Sequence, residues 1–233
     1  MKVVAIIPAA GTGVRMGADL PKQFLSLEGT PIFVYTLRKF MASDIVTEVF
    51  LGLRADDRER AEAQIAKEKF TKPLRLVSGG FSRQETVGNA LSEAPDDTDV
   101  VVVHDAVRPF VDREILRRVV EAASEHGAAI AGIPSVDTVK QVERRLILST
   151  VPRERILLAQ TPQAFRFPVL KDAYRQAAAD GFTATDESGL VERLGHPVKI
   201  LMGSDHNIKI TKPSDLPLAR LFLSQEKEQE KAL

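Results

Sequence analysis

Val3-Val4-Ala5-Ile6-Ile7, followed by Pro8-Ala9-Ala10-Gly11-Thr12-Gly13-Val14-Arg15-Met16-Gly17 and then Pro21-Lys22, decides the fold class. The apolar run is short, continuous and β-branched, the pattern of a strand buried on both faces of a parallel sheet. The glycine-bearing loop therefore leaves the carboxyl end of a central strand, where open α/β sheets hold their ligands. Glycine lets backbone N–H groups approach phosphate oxygens with no Cβ in the way, and Arg15 and Lys22 offer charge to the same oxygens. This is the chemistry of a nucleoside triphosphate site.

Two other uses of the loop fit less well. A dinucleotide fingerprint needs a third glycine three positions after the second, where this chain has Met16, and the GxxxxGK[ST] phosphate loop is absent. The stretch 18–30 reads as further loop, with Pro21 and Gly29 as breakers and Pro31 just beyond, so no helix starts promptly to hold a pyrophosphate. A purely structural turn explains the glycines but not the two cations beyond them.

Outward from that stretch, 233 residues suit one α/β domain, and no linker or internal repeat divides the chain. Lysine plus arginine equals aspartate plus glutamate at 32 each, so no global field recruits nucleic acid or an acidic surface, and phosphate binding must come from local placement. The absence of cysteine excludes disulfides, thiolate nucleophiles and cysteine zinc sites, and agrees with a reducing compartment. No stretch approaches the ~18 uninterrupted apolar residues of a membrane span. The first strand begins at once, leaving no room for a signal peptide, so a cytoplasmic protein that binds neither nucleic acid nor membrane is expected.

Further apolar strands are predicted over 46–51, 74–77, 100–103, 128–133 and 198–201. Helices alternate with them over 32–41, 56–69, 83–93 and 112–125, which argues for a three-layer, mainly parallel, doubly wound sheet of Rossmann-like type. The region 136–153 breaks the rhythm. Two extended runs, 138–143 and 146–151, flank Arg144-Arg145 and predict a projecting β-arm. An isolated two-stranded arm is marginal in water, so a partner subunit is expected to cover it. Beyond it come a helix over 168–179, another opened by Thr185-Asp186-Glu187, and a last one after Pro213 whose charged tail, 225–233, reads as a solvated, fraying end.

Two further loops fall on the edge that carries the glycine loop. The strand 100–103 delivers His104-Asp105-Ala106-Val107-Arg108-Pro109, placing Asp105 and Arg108 over the crevice. The strand 74–77 delivers Gly79-Gly80, with Arg83 and the hydroxyl of Thr86 at the next helix start, a set suited to a flat base or a ribose. Each alone has an ordinary reading as turn, cap or solvated charge; their coincidence on one edge points to a site. The four histidines show no metal-ligand spacing and are expected to be structural or exposed, and no GxSxG elbow supports a serine hydrolase.

Eight segments in order carry a resemblance over nearly the whole chain: Pro8-Ala9-Ala10-Gly11 with Arg15-Met16; Pro21-Lys22-Gln23; Gly79-Gly80 with Arg83; His104-Asp105-Ala106 with Arg108-Pro109; Asp137-Thr138-Val139-Lys140; Gln160-Thr161-Pro162-Gln163; Thr185-Asp186-Glu187; and Asn207-Ile208-Lys209. Together they resemble the 2-C-methyl-D-erythritol 4-phosphate cytidylyltransferases of the non-mevalonate isoprenoid pathway, within the sugar-phosphate nucleotidyltransferases. The resemblance implies transfer of CMP from CTP to methylerythritol phosphate, with Mg2+ on the triphosphate and pyrophosphate leaving. It implies that Arg15 and Lys22 stabilise the transition state, and that Pro8, Ala9, Ala10, Gly11, Gly13, Gly80, Thr86, Asp105 and Ala106 bind the nucleotide. Arg153 and Lys209 would hold the acceptor phosphate, helped by Asp105, Arg108, Thr138 and Thr185. In similar enzymes the arm interlocks a homodimer, which offers Arg108 and Thr138 to the neighbour's site. The chain departs from the family's usual residues at Thr86 (serine), Phe81 (polar in some relatives) and Leu157 (often tryptophan). Rival readings are a ribitol 5-phosphate cytidylyltransferase, a non-catalytic nucleotide-binding module and an NAD-dependent dehydrogenase, the last disfavoured by the glycine spacing.

Overall fold

The computed structural model describes residues 1–11 and 20–231. Its strands are β1 (Val3–Pro8), β2 (Ser26–Leu27), β3 (Thr30–Pro31), β4 (Glu48–Leu53), β5 (Leu74–Ser78), β6 (Val100–Val103), β7 (Ala128–Pro134), β8 (Val139–Glu143), β9 (Leu146–Val151), β10 (Leu157–Arg166) and β11 (Lys199–Met202). Its helices are α1 (Ile32–Met41), α2 (Arg58–Ile65), α3 (Arg83–Ser92), α4 (Arg113–His126), α5 (Phe167–Ala179), α6 (Glu187–Arg193) and α7 (Asp215–Lys231). Seven strands form one sheet in the order β11-β7-β10-β6-β1-β4-β5. β1 lies between β6 and β4 and pairs with both in parallel, Val3 opposite Val100 and Val4 opposite Glu48.

The alternation of β1 side chains sorts the two faces. Val3, Ala5 and Ile7 meet Phe33 and Leu37 of α1 and Leu116 and Val120 of α4. Val4 and Ile6 belong to the opposite core, with Val87 of α3, Leu170 of α5 and Val191 of α6. Helix starts follow local capping chemistry. Asp112 accepts from the N–H groups of Glu114 and Ile115 at α4, and Ser82 accepts from that of Glu85 at α3. α4 stops at Gly127, whose φ of 96° is open to glycine and strained for other residues. The stretch 18–30, expected to be plain loop, holds a turn of 3-10 helix over Lys22–Phe24 and the β2–β3 hairpin among its described residues.

One strand of the main sheet was not predicted. The segment around Gln160-Thr161-Pro162-Gln163 lies within the ten-residue β10, which runs antiparallel between β6 and β7. Its register shifts between Ala159 and Gln163, and proline in a central strand ordinarily argues against strand at all. The sheet is thus mostly parallel with one reversed strand inside it.

β8 and β9 form the projecting arm, joined by Arg144 and Arg145, whose φ values of 47° and 70° give a two-residue hairpin turn of the left-handed kind. Val142, Leu146, Ile147 and Leu148 are exposed along it. The tail differs from its expected fraying: α7 continues to Lys231, pinned by ion pairs of Glu226 with Lys39 and Lys227 with Glu28. A small third core, with Leu27, Val107, Phe110 and Leu223, holds that helix against the β2–β3 hairpin and the loop after β6.

Candidate active site

The loops leaving the carboxyl ends of β1, β5 and β6 enclose a cavity of about 290 Å3. Pro8, Ala9, Ala10 and Gly11 line it from the first loop, Gly80, Phe81 and Thr86 from the second, and Asp105 and Ala106 from the third. Lys22 and Lys209 face it from outside these loops. The sequence reading of three loops on one edge is therefore realised in space. Arg15 and Gly13 lie outside the described residues.

Each loop is held by a specific buried contact. The Gln23 amide donates to the carbonyls of Ala9 at 2.6 Å and Gly11 at 3.0 Å, so the turn that carries Lys22 also fixes the glycine loop. Gly79 must be glycine, because a Cβ there would sit 2.3 Å from the Ala10 Cβ, and this close approach joins the first loop to the second. The Thr86 hydroxyl accepts from the Gly80 N–H at 3.0 Å and donates to the Ser82 carbonyl at 2.8 Å. Thr86 thus lines the cavity while its hydroxyl organises the glycine turn. Phe81 is fully exposed at the cavity mouth, an apolar ring with a face open to solvent.

Asp105 is the hub of the third loop. Its carboxylate accepts from Arg83 Nε at 3.0 Å, pairs with Lys209 Nζ at 2.7 Å and lies 3.6 Å from Arg108 Nε. Its backbone N–H donates to the Thr161 hydroxyl at 3.0 Å, which is how the reversed strand β10 anchors the loop. Burial alone would raise the Asp105 carboxyl; the charges of Arg83, Lys209 and Arg108 overcome it and hold the group well below the usual carboxylate range. Arg83 also reaches Glu187. Burial works against the Arg83 charge, but the two carboxylates raise its pKa and keep it protonated. His104, by contrast, is wholly buried and donates from Nε2 to the Arg108 carbonyl, so it belongs to the loop's scaffold, as expected for a structural histidine.

A second hollow of about 330 Å3 adjoins the first and shares Lys209 with it. Arg108 lines it, with Nη1 donating to the Asn207 carbonyl at 2.6 Å. Arg108 therefore meets Asp105 and Asn207 of its own chain. Thr138, Arg153 and Thr185 are exposed and line neither cavity. Arg153 sits at the root of the arm, donating to the Val136 carbonyl at 3.0 Å. Thr185 stands just before Asp186, the N-cap of α6. Sequence reasoning gave no site role to Gln23, Glu187 or Tyr174. The only signal was the presence of Gln23 and Glu187 in the motif strings Pro21-Lys22-Gln23 and Thr185-Asp186-Glu187.

Comparison with known proteins agrees over nearly the whole chain. Residues 3–225 match the sequence profile of the 2-C-methyl-D-erythritol 4-phosphate cytidylyltransferase family. Proteins of that name from Solibacter usitatus and Acidobacterium capsulatum are 50% and 48% identical, each aligned over 97% of this chain and over 97% and 98% of the relative. Among solved structures, the 4-diphosphocytidyl-2C-methyl-D-erythritol synthase of Anaerococcus prevotii superposes with a TM-score of 0.85 at 29% identity, covering 96% of both chains. The cytidylyltransferase of Thermus thermophilus gives 0.77 at 36% identity, covering 95% of this chain and 98% of its own. On the match of residues 3–225 and the near-full-length identity to these relatives, the chain belongs to the 2-C-methyl-D-erythritol 4-phosphate cytidylyltransferase family.

Proposed function

We propose that this enzyme transfers CMP from CTP to 2-C-methyl-D-erythritol 4-phosphate, releasing pyrophosphate, in the non-mevalonate route to isoprenoids. The observation that carries the mechanism is Lys209, whose ammonium faces both cavities and is held between them by Asp105. The first cavity takes CTP: Pro8 to Gly11 and Gly13 offer backbone to it, Gly80, Thr86 and Ala106 surround the cytidine, and Asp105 meets the nucleotide from the third loop. The second hollow takes the acceptor phosphate on Lys209 and Arg108; Arg153, Thr138 and Thr185, which line neither hollow within one chain, are assigned to the acceptor through the family resemblance.

A phosphate monoester is already anionic near neutral pH, so its oxygen attacks the α-phosphorus without a general base. A new P–O bond forms to the α-phosphorus, the bridging bond to the β-phosphate breaks, and pyrophosphate leaves with the electron pair. What the reaction requires is the positioning of two repelling anions and neutralisation of developing charge. Lys22 and Arg15 supply the latter at the α-phosphate. Among the described residues lining the first cavity, Asp105 is the only acid, and no cluster of three candidate metal ligands is present among the described residues. One carboxylate plus substrate phosphates is a donor set that suits Mg2+, which would be carried mainly by the CTP phosphates and neutralise their charge.

We further propose a homodimer joined through the arm. The support is the run of exposed apolar side chains on an arm that its own chain does not cover. The cysteine-free composition fits a reducing compartment, and the cytoplasm is the proposed location. No helix among the described residues is long and apolar enough to cross a membrane. Pyrophosphate release from CTP, measured side by side with methylerythritol phosphate and ribitol 5-phosphate, tests the function. Preference for ribitol 5-phosphate, or CTP binding without release on either acceptor, would overturn it.

A further inference from the structure

We infer that Glu187, acting through Arg83, is a positioning residue for the acceptor half of the reaction, fixing the Asp105 carboxylate that in turn holds Lys209 at the boundary of the two cavities. The inference rests on the acceptor role proposed above for Lys209.

Glu187 sits in the first turn of α6, is 1% exposed and lines neither cavity, so it touches no substrate. Both of its oxygens accept from Arg83 Nη1, at 2.8 and 2.9 Å, and one also accepts from the Tyr174 hydroxyl at 3.0 Å. The Nε of the same guanidinium donates to Asp105 Oδ1 at 3.0 Å. The other Asp105 oxygen faces Lys209 at 2.7 Å and Arg108 at 3.6 Å. The order is therefore Tyr174, Glu187, Arg83, Asp105, Lys209, drawn from α5, α6, α3, the loop after β6 and the segment after β11.

The geometry matters because a guanidinium is a rigid plane: fixing one edge fixes the direction of the other. With Glu187 holding the Nη1 side, the Nε side presents one hydrogen bond to one oxygen of Asp105, and the second oxygen is left aimed at Lys209. Lysine has a flexible four-carbon stem, so its ammonium needs such a fixed partner to stand ready between the cavities. A buried ion pair is a poor way to gain stability, since apolar packing of the same volume does as well or better. Its presence beneath the site, on the far side of Arg83 from the reacting groups, is explained by the orientation it imposes. Without Glu187, the Arg83 side chain, already at the wall of the nucleotide cavity, is released from its second anchor and carries Asp105 with it.

The test compares Glu187→Gln, Tyr174→Phe and Lys209→Ala with wild type by pyrophosphate release, varying CTP and methylerythritol phosphate separately. Glu187→Gln should raise KM for the acceptor about tenfold or more, and by a clearly larger factor than KM for CTP, whose cavity Arg83 and Asp105 also wall. Tyr174→Phe, which removes one hydrogen bond and no charge, should give the same pattern at about two- to fivefold, and it decides the matter if Glu187→Gln does not fold. Losses shared equally by CTP and acceptor, or an unchanged acceptor KM in folded protein, would overturn the positioning role. If Lys209→Ala also leaves the acceptor KM unchanged, the acceptor reading itself fails; if Lys209→Ala raises it and Glu187→Gln does not, only the present inference fails.

Discussion

Mild acid should loosen the loop that carries Asp105 before it neutralises the Asp105 carboxylate itself. His104 is wholly buried, its ring lies 4.9 Å from that of Phe40, and its Nε2–H donates to the Arg108 carbonyl at 2.9 Å while Nδ1 has no hydrogen-bond partner. A second proton would place an unpaired N–H and a charge in a dry space, a cost that the Arg108 carbonyl and the Asp105 carboxylate only partly offset and that the Arg108 and Arg83 charges add to. Burial accordingly lowers the imidazole pKa from 6.5 to about 4. The folded value lies below the unfolded one, so the contribution of neutral His104 is complete above about pH 6.5 and drains away as pH falls toward about 4. At about 1.4 kcal/mol per unit the full swing is roughly 3 kcal/mol, a large share of the 5–15 kcal/mol typical of a domain. Urea unfolding from about pH 7.5 to about 4.5 on wild type and on His104→Gln measures it. The glutamine amide can reach the Nε2 position and does not titrate. Wild type should lose about 2–3 kcal/mol more than the variant across that range. Asp105 does not confuse the result: its depressed carboxyl contributes fully above its unfolded value near 3.8 and is lost only below it. Parallel stability curves for the two proteins would refute the assignment of a buried, neutral His104.

Lys22→Ala, and Arg15→Ala beside it, should lower turnover by about two orders of magnitude, the usual effect of deleting a donor to developing charge; near-normal turnover would remove that residue from the chemistry. Arg153→Ala and Lys209→Ala should instead raise KM for the sugar phosphate, and a change confined to CTP would show that the acceptor side is misplaced. Gly79→Ala places a Cβ 2.3 Å from that of Ala10 and 3.1 Å from the Leu53 carbonyl carbon, so about 1–3 kcal/mol of stability should be lost in urea melts together with CTP affinity. Ile147→Asp, at a position 66% exposed on the arm, should leave folding intact and convert a dimer to monomer in sedimentation; a wild type that sediments as a fully active monomer would overturn the arm interface.

The sequence made some parts of this molecule legible because their physics is local. Val100–Val103 is four buried apolar residues ending at His104, and its bounds could be read directly. The glycine loops were readable for the same reason, since the backbone chemistry they permit is written in a few adjacent residues. β10 was not, because its centre is polar: Gln160 donates to the Ser204 carbonyl, Gln163 to Asp186, and Thr161 accepts from Asp105. Those groups are buried and paired across the fold, so hydropathy reports a loop where there is a central strand. The same long reach hid Glu187, which lies 104 positions from Arg83, and the anchoring of the tail, where Glu226 meets Lys39 across 187 positions. Thr138, Arg153 and Thr185 were named through family resemblance, and a single chain does not bring them to either cavity.

The reversed direction of β10 has a mechanical meaning. Leu157 pairs with Pro134, so β10 begins beside the place where β7 ends, and the chain between them need not cross a face of the sheet to return. That frees the intervening residues to become a hairpin with both feet planted on the edge where β6 delivers Asp105. Arg153 laces the feet together through the Val136 carbonyl. At about 3.3 Å per residue, strands of this length carry the tip some 15–20 Å outward. The arm is therefore a lever with its fulcrum at the edge that carries Asp105, rooted in the strand whose Thr161 accepts from the Asp105 N–H.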